Sequence, residues 1–186
     1  VGDQPEARGV NDYGSISLLK QIKALNAGED PVSGELKDGA TQIFAGAAAD
    51  PNCHSFSGLR MRIEQKQAAG AQFLQTQMVM SPEILDRFCK KIANPIEMPV
   101  LAGVFLLKSA KNASFINRVV PGACIPESII KRLENSINPQ EEGIEIASEQ
   151  VRTFLNITKG VHIMAIKAED RIPEILSNAS INLQPQ

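Results

Sequence analysis

A chain of 186 residues, 43% apolar and 22% charged, is long enough to bury a real core, and one domain over residues 1–186 is the natural reading. A net charge of −2 offers no electrostatic case for nucleic acid, and no apolar run approaches the ~20 residues of a membrane span. Cys53, Cys89 and Cys124 are odd in number and far apart, with no CxxC, so a disulfide framework is not expected and the reducing cytoplasm is the default.

In chain order, Val1-Gly2 reads as the end of a strand with Asp3 at its exit. The opening lacks an initiator methionine and any signal region, and is read as a cut inside a larger protein. A polar loop runs to Gly14, and Ser15 is placed as the cap of a helix over about 16–26, with Leu18, Leu19, Ile22 and Leu25 on one face. Gly28 ends it. A loop over 29–40 holds a small hairpin around Val32 and Leu36, and a strand of small residues is expected over 42–48. The loop Asp50-Pro51-Asn52-Cys53-His54 follows; one Cys-His pair with no second pair to complete a tetrahedron predicts no metal.

A helix over 59–69 gives way at Gly70 to a β run ending in Thr76-Gln77, and Ser81-Pro82-Glu83 opens a helix to about Ile92. A glutamine near the carboxyl end of a strand needs a partner; it either caps a neighbouring loop or meets a ligand there. A buried strand over 98–106 and a helix from Ala110 to Pro121-Gly122 come next. Pro126 is placed at the first position of a helix to Asn135, followed by a long helix over 141–155. The last strand spans 161–166, and Asp170 is placed as the cap of a final helix to Ser177. Strands alternating with helices mean parallel pairing through crossovers, and no GxGxxG follows any strand. With about five strands, against eight in ~250 residues for a complete barrel, the fold class expected is α/β, the C-terminal five or so units of a (β/α)₈ TIM barrel with its N-terminal strands missing.

Six segments in order carry a resemblance: Gly2-Asp3-Gln4-Pro5, Ala69-Gly70-Ala71 to Thr76-Gln77, Pro99-Val100-Leu101-Ala102-Gly103-Val104, Val120-Pro121-Gly122 to Ile125-Pro126-Glu127, Glu142-Gly143-Ile144-Glu145-Ile146-Ala147, and Gly160-Val161-His162-Ile163-Met164. Together they resemble methylenetetrahydrofolate reductases, above all bacterial forms fused or paired with methyltransferases. The resemblance implies a flavoprotein barrel in which FAD takes a hydride from NAD(P)H or another donor and passes it to 5,10-methylenetetrahydrofolate, giving 5-methyltetrahydrofolate for one-carbon metabolism and methionine or acetyl-CoA supply. It implies Asp3 as the catalytic carboxylate that offsets the 5-iminium cation, with Gly2 beside it in the Gly-Asp motif at the cofactor. Tyr13, Gly14 and Ser15 correspond to the helix start that cradles the flavin phosphates, Lys66 to a lysine reaching those phosphates, and His54 to a histidine contacting the flavin. Gln77 and Arg171 are the residues implied for binding folate.

The sequence also departs from the family. Asp50 stands where a tyrosine is common, Lys167 where an aromatic is, and the Glu-Phe-Phe-Pro-Pro segment with the general-acid glutamate has no counterpart in these residues. These departures keep open an alternative: a non-catalytic reductase-like subunit that binds flavin or a partner, such as a methyltransferase or an electron-transfer protein. Either reading expects a homo-oligomer or a complex, because a barrel lacking strands exposes two edges.

Overall fold

The computed structural model describes residues 13–30 and 34–181. Helix α1 (Ser15–Asn26) is followed by a two-residue hairpin, β1 (Glu29–Asp30) antiparallel to β2 (Gly34–Glu35). The main sheet then builds up as β3 (Gly46–Ala49), α2 (Phe56–Ala68), β4 (Phe73–Met78), α3 (Pro82–Phe88), β5 (Val100–Phe105), α4 (Ala110–Val119), α5 (Glu127–Asn135), α6 (Pro139–Phe154), β6 (Gly160–Met164) and α7 (Ile172–Asn178). All pairings among β3, β4, β5 and β6 are parallel and the spatial order is the chain order. A doubly wound sheet would reverse its order at a switch point; a sequential run is how strands follow one another around a barrel. The α/β class and the parallel sheet are as expected. Closure into a barrel is not seen among the described residues, and the strand expected at Val1-Gly2 lies outside them.

The two faces of the sheet have different fates. Leu74, Val100, Ala102 and Val104 on one face are buried against Ile63 of α2, Leu85 and Phe88 of α3, and Ile144, Val151 and Phe154 of α6. A second core, from Met78 and Leu107 through Ile116 and Leu133 to Ile146, lies under α4 and α5. Each fully buried side chain of this size stabilises the fold by about 1.5–3 kcal/mol, so helices are fixed firmly to this face. On the opposite face Phe73, Gln75, Gln77, Leu101, Phe105, His162 and Met164 are only half-buried. Phe105 and Met164 pack against the second core, while Phe73, Gln75, Gln77 and His162 are open to a cleft.

Several element boundaries differ from expectation, each for a local reason. The strand expected from Gln42 begins only at Gly46, because Asn26 takes both backbone groups of Ile43: its Oδ1 accepts from Ile43 N and its Nδ2 donates to Ile43 O. Helix α2 starts three residues earlier than expected because Ser55 caps it, its Oγ accepting from Gly58 N. Ser15 does not cap α1; Gly14 holds the capping position without a side chain and Ser15 is already helical. Pro126 caps α5 rather than opening it, and Asp170 lies inside a 3₁₀ turn (Glu169–Arg171) that runs into α7 at Ile172. The helix expected to reach Ile92 passes at Cys89 into a π turn (Cys89–Ala93) and a short 3₁₀ turn (Asn94–Ile96). Among the described residues no helix is long and apolar enough to cross a membrane, and no group of three or more His, Cys, Asp or Glu could hold a metal.

Candidate functional site

The open face of the sheet and one side of α2, from Gly58 to Lys66, enclose a cleft of about 930 Å³, a volume typical of small-molecule sites. Its floor is β3, whose Gly46-Ala47-Ala48-Ala49 presents almost no side chain. The ring of Phe73 fills the space over Gly46, where an added Cβ would lie 2.3 Å from it, and Phe44 stacks on Phe73 with centroids 5.2 Å apart. One wall is α2, which contributes Gly58, Arg62 and Lys66; the other side carries Gln75, Gln77, His162 and Met164.

A break in the β4 ladder shapes the far end of the cleft. Gln75 pairs with Leu101, but Gly103 pairs with Met78, so one extra residue of β4 is accommodated between them. The Thr76 hydroxyl fills the gap: it accepts from Gly103 N at 2.8 Å and donates to Gln77 O at 2.7 Å. This irregularity re-aims Gln77. Its Oε1 accepts from Met78 N and its Nε2 donates to Pro121 O at 3.1 Å, in the turn after α4. Asn52 ties the same rim, its Nδ2 donating to Met78 O and Gly122 O while its N–H donates to Asp50 Oδ1. Asp50, at the position where the resemblance would place an aromatic, instead lies against Gly122, where an added Cβ would fall 2.5 Å from its Oδ2.

The α2 wall is cationic. Lys66 Nζ donates to Ala48 O at 2.7 Å. Its pKa is lowered from the usual lysine value, first by burial and then by the Arg62 charge one helical turn away. Two cations face each other across one turn with no carboxylate bonded to either among the described residues.

The expected site residues are therefore distributed unevenly. Lys66 and Gln77 line the cleft. His54 is exposed on the loop beside it, between the lining residues Cys53 and Ser55. Ser15 begins α1 with Gly14 at its cap and Tyr13 before it, and none of the three lines the cleft. Arg171 borders a separate, smaller hollow of about 270 Å³ with Lys108 and Lys167, and its guanidinium is held by Glu141 and Glu174, each at 2.7 Å. Gly2 and Asp3 lie outside the described residues. Sequence reading missed Gln75, Arg62 and His162. Signals pointed to two of the three: the Gln75/Gln77 alternation, which puts two amides on one face of β4, and the i, i+4 spacing of Arg62 and Lys66.

A structure described as an uncharacterized protein from Clostridium thermocellum that binds two copies of 5-methyl-5,6,7,8-tetrahydrofolic acid is similar, with a TM-score of 0.57 and 17% identity. The likeness covers 74% of this chain and 52% of that one, so this chain spans about half its length, and at that identity the likeness is one of fold. No curated protein matches the chain significantly. The family profile described as Methylenetetrahydrofolate reductase matches residues 15–180, nearly the whole chain, and the chain belongs to the methylenetetrahydrofolate reductase family.

Proposed function

We propose that this chain is the cofactor- and folate-binding part of an oxidoreductase that reduces 5,10-methylenetetrahydrofolate to 5-methyltetrahydrofolate, with FAD as the carrier of the hydride. The observation that carries the reading is the cleft on the open face of the sheet, where a nearly side-chain-free floor adjoins a wall of two cations. The residues present fit the cofactor. Ala48, exposed on the floor beside the Phe73 ring, lets a planar ring approach the backbone of β3, and Arg62 and Lys66 supply the charge that a diphosphate needs. When bound, FAD supplies two-electron transfer between the donor and the folate.

The chain's own residues do the rest. Lys66, whose charge costs most when nothing anionic is near, gains its counter-charge on binding. Gln77 offers one amide donor and one acceptor at the cleft end, provided its Nε2 leaves Pro121 O. Asp3 is proposed as the carboxylate that offsets the cation formed as the folate ring opens, with Gly2 beside it. His54 at the flavin, the α1 start (Tyr13, Gly14, Ser15) at the phosphates and Arg171 at the folate belong to the same proposal. Here Arg171 has first to exchange one of its carboxylate partners for that of the substrate.

The present engagement of Arg171 and Gln77 with the protein itself favours a second reading, a subunit that binds flavin or folate without turning it over. One experiment decides between them. These 186 residues alone, without the general-acid glutamate, are not expected to turn over, so the protein at its natural length is loaded with FAD and mixed anaerobically with 5-methyltetrahydrofolate. Loss of the flavin's visible absorbance is the expected result; a chain that binds both and keeps its colour is a binding subunit. NADH and NADPH tried as reductants in the same cell identify the donor.

A further inference from the structure

Gln75 and His162 sit on different strands, β4 and β6, with β5 between them. They nevertheless meet: Gln75 Nε2 lies 2.9 Å from Nδ1 of His162 and 3.4 Å from its Nε2. The contact spans β5 because Gly103, the residue paired with His162, puts no side chain in the way. Nor can it, since a Cβ there would lie 2.8 Å from both Thr76 O and Gln77 O. Both side chains are half-buried and both line the cleft.

The chemistry left over is specific. With Nδ1 accepting from the Gln75 amide, the ring proton sits on the other nitrogen of His162, a free donor. Gln75 Oε1 accepts nothing among the described residues and is a free acceptor. Turning the amide over swaps the roles and again leaves one donor and one acceptor side by side. We propose that Gln75 and His162 form a recognition pair for a lactam edge, an N–H adjoining a C=O, on the fused-ring heterocycle bound in the cleft. A pterin and a flavin ring both carry such an edge. A purely apolar ring would leave both protein groups unpaired, which a half-buried site disfavours. The inference rests on the folate and flavin reading for the identity of the ring, though not for the chemistry of the edge.

The test titrates the full chain with 5-methyltetrahydrofolate, with its 4-amino-4-deoxy analogue and with FAD. The titrations are repeated on Gln75→Leu and His162→Phe after circular dichroism has confirmed a native fold. The 4-amino compound keeps the ring's shape and replaces the lactam acceptor by a donor. The wild type should favour the 4-oxo compound about tenfold or more, and either substitution should erase that preference. A similar loss confined to FAD assigns the edge to the flavin and also supports the pair. Wild-type affinities equal for the two pteridines, with FAD binding unaltered in both variants, overturn the pair and leave the folate reading standing. A wild type that binds neither folate nor FAD overturns both. Should the variants fail to fold, the wild-type preference and the ring-nitrogen NMR signals of His162 decide: one fixed neutral tautomer is expected, and a free exchange of tautomers overturns the pairing.

Discussion

Lys66 and Arg62 lie one turn apart on α2, and burial together with this neighbouring charge makes the ammonium of Lys66 easier to deprotonate. The sign of the consequence is fixed: a lysine whose folded pKa lies below its unfolded one binds fewer protons when folded, so stability rises with pH between the two values. Lys66→Met should therefore leave the ligand-free protein at least as stable at neutral pH, flattening this rise in a pH series of urea melts. The same variant should lose roughly tenfold in FAD affinity, one charge-assisted hydrogen bond to phosphate, measured by fluorescence quenching. Cysteine reactivity separates along similar lines. Cys124 is exposed, Cys53 half-buried, and Cys89 is buried with its thiol pushed up to about 11 by desolvation and by nearby Asp86. Iodoacetamide followed by mass spectrometry should label Cys124 first, and Cys89 only once the chain unfolds.

Among the elements, α6 shows how a motif can be recognised in sequence and its meaning still be hidden. Glu142-Gly143-Ile144 belongs to the family resemblance, yet Gly143 does no chemistry: a Cβ there would fall 1.8 Å from Leu107 O. Glycine lets α6 press against the segment leaving β5. Gly143→Ala should cost about 3 kcal/mol or more in chemical denaturation, since backbone rather than a movable side chain is in the way. The adjacent clamp between α5 and α6 is ionic. Arg132 forks onto Glu149 at 2.6 and 2.9 Å and also bonds Glu142. The fork holds the Glu149 carboxyl below its usual pKa, so its contribution is complete above the ordinary carboxylate range and is lost as pH falls through the depressed value. Arg132→Met should destabilise by about 1 kcal/mol at neutral pH, and the gap to wild type should narrow in acid.

Elements with strong local signals were legible. Ser81-Pro82 and Ser109 start helices as such residues do, their side chains accepting from backbone amides, whereas α6 starts at Pro139 under the Asn138 cap, two residues before the expected 141. The parallel order followed from the alternation alone. What stayed hidden depends on contacts distant in sequence. The late start of β3 is set by Asn26, the irregularity at Thr76-Gln77 by Gly103, and the withdrawal of Arg171 by Glu141, thirty residues away. Of the candidate site, Lys66 and Gln77 were visible as single residues. The Gln75–His162 pair was not, because no local pattern announces a contact 87 residues apart.

Over the whole molecule, the four-stranded sheet has helices against one face, and its outer strands, β3 and β6, each have one neighbour among the described residues. Unpaired parallel edges beside a half-buried face invite association. Sedimentation of the 186-residue chain should show species heavier than 20.1 kDa at micromolar concentration. A single species of that mass would mean that residues outside those described cover the edges. The rim of the cleft behaves as a unit for a simpler reason. A single carboxamide, that of Asn52, grips the exit of β4 and the turn beyond α4 at once. Three segments far apart in the chain thus share one knot, and they loosen together or not at all. Asn52→Ala should turn their separate backbone amides into one fast-exchanging, protease-sensitive patch, while the helices behind the sheet keep their protection.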